Sequence, residues 1–461
     1  MEPLYEMKKY IDTVCDQIRW KKARPFIAQE LEAHICDQRD AYIADGDSVS
    51  TATHKAILQM GDAVSIGLEF DKTHKPKPQW PFILLTGVFM LIGLLANLLI
   101  YPTSFSITFH FVPIVLAFGL FLLAYYFDFT LLGKCPLFCY CLIVFSSFLS
   151  CLFGTPIDGV SRFIFGRFFI SLPYLSLLFP LAFALLIYAL RGKGKLGIFL
   201  CGLGIVPFAI ILFIIPTFSG FILFIFSSFL LLLLSIQKRL FGLNHKEGLF
   251  SLFFTMICVI TILLTLCISY AYRIEHSILS QEFQNQSISS LIYEIIRHSS
   301  FIGTGETTSY LEQLSLHTAL ANTDYMLLSL ISRFGWITFL GILLLFATFF
   351  ILGFYYVSKQ KSVLGVLVSS SIMLSLLLQS SLYVLENLGY YTLSTLSLPF
   401  ISSGRAGLMI DALLIGFLLS VFRTGYIFKD TMQTPTNKPK NVSPFLSYTN
   451  GKLIIQIKRE P

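Results

Sequence analysis

The chain has 461 residues, of which 55% are apolar and 13% charged, with a mean hydropathy of +0.75. That balance excludes a soluble globular protein, because several runs near twenty apolar residues require lipid as their solvent. The formal charge of +7 reads as a topology signal carried by basic loops, so no nucleic-acid partner is expected.

Residues 1–78 read as a separate cytoplasmic helical unit. Leu4, Met7, Ile11, Val14 and Ile18 recur at helical spacing, as do Ile27, Leu31 and Ile35. Asp47, Ser48 and Ser50 can open a further helix running to about Met60, and Gly61-Asp62 breaks and restarts the pattern. The expectation is a bundle of three or four helices. His34 beside Glu30 and Glu32 reads as a surface helix face rather than a metal site. Pro76 and Pro78 stiffen the link into the membrane, and Trp80 stands where indoles settle at the interface.

Residues 79–425 form the membrane region. Ten apolar spans are expected at about 81–101, 107–127, 135–153, 172–190, 196–215, 217–236, 249–271, 334–357, 363–386 and 402–422. No signal peptide is read before them, so the first span is expected to act as its own insertion signal. Arg191, Lys193 and Lys195, then Lys238, Arg239 and Lys246, then Lys359 and Lys361 all fall in alternate loops. They lie on one side if both termini are cytoplasmic. The 272–325 segment sets Arg273 and Arg297 against six acids and reads as a long, acidic external loop. Cys135, Cys139 and Cys141 fall within one span, where cysteine behaves as a small apolar residue. No metal-ligating set is expected among the side chains. In the polar tail, 426–461, Asn450-Gly451 between Phe445–Thr449 and Lys452–Ile457 reads as a hairpin with a type I′ turn.

The stretch from Asn387 to Gly404 is polar, carries Gly and Ser, and leads into the last apolar run, so it reads as a re-entry at a membrane face. Upstream, Asn322-Thr323-Asp324-Tyr325 closes the acidic segment just before the eighth run. An ionisable group at such an edge is a functional candidate by default. Asp324 can equally be read as the N-cap of that span. Asp411, inside the tenth span, reads as a packed polar contact rather than a relay.

These residues resemble the SEDS family of FtsW-, RodA- and SpoVE-like proteins. Asn387, Leu388, Gly389, Leu398-Pro399-Phe400-Ile401-Ser402 and Gly404 match its last external loop. Thr323-Asp324, with Tyr325 for a phenylalanine and Gly335 at the family's distance, match a second motif. Phe301-Ile-Gly303-Thr-Gly305 matches a glycine turn, and Arg162-Phe-Ile a third segment. The chain departs from the family pattern at Ala319-Leu320, at Ser332-Arg333, at Tyr174-Leu175, at Pro216–Gly220 and at Arg405. The N-terminal unit is similar to the prefix domain found before permeases and some SEDS proteins, through Ile18-Arg-Trp-Lys, Glu30–Ile35 and Met60-Gly-Asp62.

The resemblance implies an all-α integral membrane protein of the bacterial cell membrane with ten transmembrane helices. It implies polymerisation of peptidoglycan glycan strands from lipid II in division, elongation or sporulation. Asp324 would be the catalytic acid-base residue. Thr323, Arg162, Gly303, Gly305, Asn387, Pro399, Ser402, Gly404 and Arg405 would hold substrate. A carboxylate suits the general-base step, in which an acceptor sugar hydroxyl loses its proton as it attacks the donor's anomeric carbon. The lipid pyrophosphate that leaves calls for positive charge, from Arg333, Arg405 or a divalent cation such as Mg2+ or Mn2+. A class B penicillin-binding transpeptidase is the implied partner, with membrane lipids around the spans. Two other classes stay open: a non-catalytic SEDS paralogue that scaffolds or regulates the envelope machinery, and a lipid-precursor transporter.

Overall fold

The computed structural model describes residues 2–21, 23–100, 107–153, 155–157, 160–165, 168–214, 217–305, 324–390, 396–402, 405–425, 447–449 and 452–454. The chain divides into two compact units, Met1–Gln79 with Phe422–Phe428, and Trp80–Val421 with Lys429–Pro461.

The first unit holds α1 (Glu2–Asp16), α2 (Arg24–Ala44), α3 (Val49–Met60) and α4 (Ala63–His74). Its core is the two apolar stripes: Met7, Ile11, Val14 and Ile18 pack with Ile27, Leu31 and Ile35. Leu4 keeps the spacing but is 68% exposed, because the stripe runs one turn past the packed part of α1. Ser48 caps α3 by accepting from the Thr51 N–H at 3.3 Å. Asp62 caps α4 by accepting from Ser65 at 2.9 Å. Gly61 between them takes φ +90°, which only glycine adopts without strain. Buried Asp71 accepts from both the backbone N–H (2.9 Å) and Nε (3.0 Å) of Arg19, locking the loop after α1 onto α4. Glu30, Glu32 and His34 are all exposed on α2, as a solvated face requires.

The second unit is a helical membrane body. In chain order it comprises α5 (Trp80–Ile100), α6 (Ile107–Tyr126), α7 (Thr130–Lys134), α8 (Pro136–Phe153), α9 (Phe179–Leu190), α10 (Gly194–Leu203), α11 (Val206–Ile214), α12 (Phe218–Gln237) and α13 (His245–His298). After these come α14 (Met326–Phe334), α15 (Trp336–Ser358), α16 (Val363–Asn387) and α17 (Arg405–Thr424). Among the described residues, nine helical stretches are long and apolar enough to cross a membrane, and Val112–Tyr126 of α6 is a shorter tenth. Each expected span meets one of them, and the chain is a multi-pass membrane protein.

Two spans form the centre. Of Pro173–Leu190, 83% is buried within the protein, and of Val363–Asn387, 78%, against 11% for Pro136–Phe153, which faces outward. The central helix α16 is rich in serine, and its hydroxyls bond back to carbonyls one turn earlier, as Ser369 does to Gly365 at 2.6 Å. Ser375 instead reaches the Leu177 carbonyl at 2.9 Å. That carbonyl belongs to a 3-10 turn, Leu172–Leu178, with which the fourth span begins.

Four features differ from the sequence expectation. The acidic 272–325 segment is not a loop throughout: α13 runs unbroken for 54 residues to His298. Hydropathy marks where a helix leaves its apolar medium, not where its backbone hydrogen bonds stop. The eighth span begins at Trp336, because a separate helix, α14, precedes it and Gly335 at φ +89° turns the chain between them. A small antiparallel sheet, β1 (Thr155–Ile157), β2 (Val160–Phe165) and β3 (Phe168–Ser171), precedes the fourth span and adds to an otherwise helical unit. The fourth span itself opens in the tighter 3-10 form. In the tail, β4 (Ser447–Thr449) pairs with β5 (Lys452–Ile454) in the register of a two-residue hairpin; its Asn450-Gly451 turn lies outside the described residues.

Candidate active site

Helix α14 is only nine residues long and its first two turns are buried, so its unpaired N-terminal N–H groups need partners from elsewhere in the protein. They come from the C-terminal turn of α16. Asn387 Oδ1 accepts from the Leu328 N–H at 3.1 Å, and the Tyr383 hydroxyl accepts from the Leu327 N–H at 3.4 Å. Asn387 Nδ2 donates to the Asp324 carbonyl at 3.0 Å and to the Tyr383 carbonyl at 3.0 Å. Tyr383 and Asn387 are one turn apart and so share a helix face. The backbone on both sides of Tyr325 is thereby tied to α16.

This arrangement overturns the N-cap reading of Asp324. The N-cap position of α14 is held by Tyr325, and the span proper starts a helix later. The Asp324 side chain is left to the interior, where the residue is 7% exposed. Glu386, the residue before Asn387, is buried as well, at 6%. Burial first, and then the Glu386 and Asp324 carboxylates, push the Tyr325 phenol well above its usual range. The sequence reading did not single out Glu386 or Tyr383. The signal for Glu386 was present, as an acid next to the last residue of an apolar span.

The glycine turn has a different place. Gly303 donates to the Phe334 carbonyl at 3.2 Å and Gly305 to the Ser332 carbonyl at 3.3 Å. Trp336 and Ile337 return bonds of 3.2 Å each to the carbonyls of Ser300 and Phe301. A Cβ on Gly335 would lie 2.5 Å from the Phe301 carbonyl oxygen, so the close approach requires glycine. The turn therefore clamps the far end of α14, about 13 Å along the helix from Asp324. Arg333 lies at that end too, and its guanidinium donates to the Leu99 carbonyl at 3.4 Å. The structure does not bring Gly303, Gly305 or Arg333 to the aspartate.

The re-entrant segment does approach the centre of the protein. From Leu396 to Ser402 every residue is buried, the condition under which irregular backbone is tolerated at membrane depth. Pro399 and Phe400 form the turn, Phe400 takes φ +62°, and the Ser402 N–H and hydroxyl both bond the Leu398 carbonyl, at 3.2 and 3.3 Å. Gly93 of α5 lets the Phe400 carbonyl pack against it, where any Cβ would collide. Asp411 makes a buried polar contact, as read from the sequence: Gln379 Nε2 donates to its Oδ2 at 3.4 Å and to the Ser397 carbonyl at 2.9 Å.

Thr323 and Gly404 lie outside the described residues. Arg405 opens α17, and Arg162 stands in β2 opposite Thr155 and Ser171; the side chains of both lie outside the described part. Among the described residues no group of three or more His, Cys, Asp or Glu side chains is placed to hold a metal ion.

No protein-family model and no curated protein matches the chain. Solved structures do. One is a chain from a peptidoglycan synthase complex described for the structural coordination of polymerization and crosslinking; it matches with TM-score 0.57 at 17% identity, over 76% of this chain and 98% of that one. Crystal structures of the Rod shape determining protein RodA of Thermus thermophilus, and of a mutant of it, match with TM-score 0.52 at 17% identity and the same coverage. The chain has the fold of these RodA structures.

Proposed function

We propose that this chain is a peptidoglycan glycosyltransferase that polymerises glycan strands from lipid II, with Asp324 as its general base. The observation that carries the reading is the buried aspartate whose backbone Asn387 ties to the central helix. A carboxylate so placed is preorganised, and general-base assistance depends on such positioning. In the step, the acceptor sugar hydroxyl gives its proton to Asp324 while its oxygen bonds to the donor's anomeric carbon. The bond from that carbon to the lipid pyrophosphate breaks, and the pyrophosphate leaves with the electron pair. A single-pass class B transpeptidase, the kind of enzyme that would crosslink the strands, is the partner this role calls for.

Purified protein supplied with lipid II is expected to form glycan strands, alone or with a candidate transpeptidase. Absence of strands under both conditions would move the assignment to the second reading, a scaffold of the envelope machinery. That reading is favoured by Arg333, which stands in place of a family acid and bonds the Leu99 carbonyl instead of facing Asp324. Sugar chemistry outside the membrane also requires both termini inside. Cysteine labelling is therefore expected to find positions 245 and 359 cytoplasmic and position 312 external; cytoplasmic labelling at 312 rejects the orientation.

A further inference from the structure

The fourth span joins the fifth, and the sixth joins the seventh, by short connections on the same membrane face, between α9 and α10 and between α12 and α13. The two connections are bonded to each other. The Gly192 N–H donates to the Leu240 carbonyl at 2.9 Å, and the Gly194 N–H to the Phe241 carbonyl at 3.2 Å. Phe241 is 2% exposed and a Cβ on Gly197 would lie 2.9 Å from its ring, so the second connection is seated on the start of α10. This pairing gathers charge. Arg191, Lys193, Lys195, Lys238, Arg239 and Lys246 are all exposed there, and Glu247 is the one acid within 188–196 and 238–249. None of the six has an ion-pair partner among the described residues. Arg191 is also held at the level of the span, its guanidinium 3.8 Å from the centre of the Tyr188 ring.

Like charges gathered in this way repel, and here no acid side chain among the described residues pairs with them. A topology signal needs basic residues in each connection, but it does not need the connections bonded to one another. The counter-charge must come from outside the chain, and the setting says from what. Lys246 heads a stripe of α13 made by Phe250, Phe253, Phe254 and Ile257, at helical spacing and between 46% and 73% exposed. The span that carries the stripe is only 28% buried within the protein, so this is a face turned to lipid. A ligand that suits both parts has an anionic head and apolar chains. We infer that the paired connections bind the phosphate headgroup of an anionic phospholipid, whose acyl chains lie along that stripe. The site is independent of the glycosyltransferase assignment.

The test is thermal unfolding of the full chain in phosphatidylcholine nanodiscs carrying a rising fraction of phosphatidylglycerol, at one ionic strength so that screening is constant. Phosphatidylglycerol is expected to raise the melting temperature saturably by a few degrees. In the triple variant Lys193→Gln, Lys195→Gln, Lys238→Gln the half-saturating fraction is expected to rise by about tenfold or more, since each lost cation removes part of the attraction to the headgroup. These lysines are exposed, so melting in pure phosphatidylcholine should match wild type. Lys359→Gln with Lys361→Gln, in another basic connection, is expected to leave the curve unchanged. No shift with phosphatidylglycerol would overturn the proposal. An equal loss in both variants would also overturn it, by reducing the effect to the diffuse charge of the membrane face. So would an equal shift when polyglutamate or inorganic phosphate is added to pure phosphatidylcholine nanodiscs, which would point to an acidic protein partner or a free anion.

Discussion

Asp324→Asn is expected to slow glycan-strand synthesis by about 10² to 10⁴, the usual contribution of a general base. The substitution keeps volume and shape. It also leaves the anchoring bonds in place, because Asn387 holds Asp324 through the main-chain carbonyl and not through the carboxylate. Membrane abundance and partner binding are therefore expected to stay near wild type, so a loss of product reports chemistry rather than folding. Equal strand synthesis, or equal complementation at matched membrane levels, would favour the scaffold.

The second large effect is expected at Asn387, which acts as a positioning residue. Asn387→Ala removes an acceptor from the Leu328 N–H and a donor from the Asp324 carbonyl, both in a buried setting. Leaving two such groups unpaired costs about 1–3 kcal/mol each, so α14 should loosen from α16 by about 2–6 kcal/mol. The same change frees the backbone that carries Asp324, and misplacing a catalytic group by about 1 Å can cost 10²-fold in rate. Asn387→Asp separates the two bonds. It keeps the acceptor for Leu328 but cannot donate to the Asp324 carbonyl, and it adds a charge beside Glu386. Reduced melting temperature together with lost synthesis is the expected result for Asn387→Ala; unchanged values of both would show that the bridge does not position the aspartate.

Several parts of the molecule are legible in local sequence for simple reasons. The spans follow from apolar runs, since each stretch must match its own solvent. The caps at Ser48 and Asp62 and the break at Gly61 follow from chemistry within three or four residues. The hairpin between Thr449 and Lys452 follows from its Asn-Gly dipeptide. The glycines at 303 and 305 are more instructive, because their motif was legible while their task was not. It is a clamp on the C-terminal end of α14, set by backbone bonds to Ser332 and Phe334.

By itself, the sequence determined that this is a helical multi-pass membrane protein, and that Asp324 and Asn387 belong among its candidate residues. Only the tertiary structure decided how they act together. Asn387 reaches Asp324 across 63 residues, Glu386 comes with it as its chain neighbour, and Gln379 meets Asp411 across 32. Periodicity and hydropathy report the medium around each segment, one segment at a time. They carry no record of which two segments pack together, and a buried polar side chain takes its role from the partner it meets there.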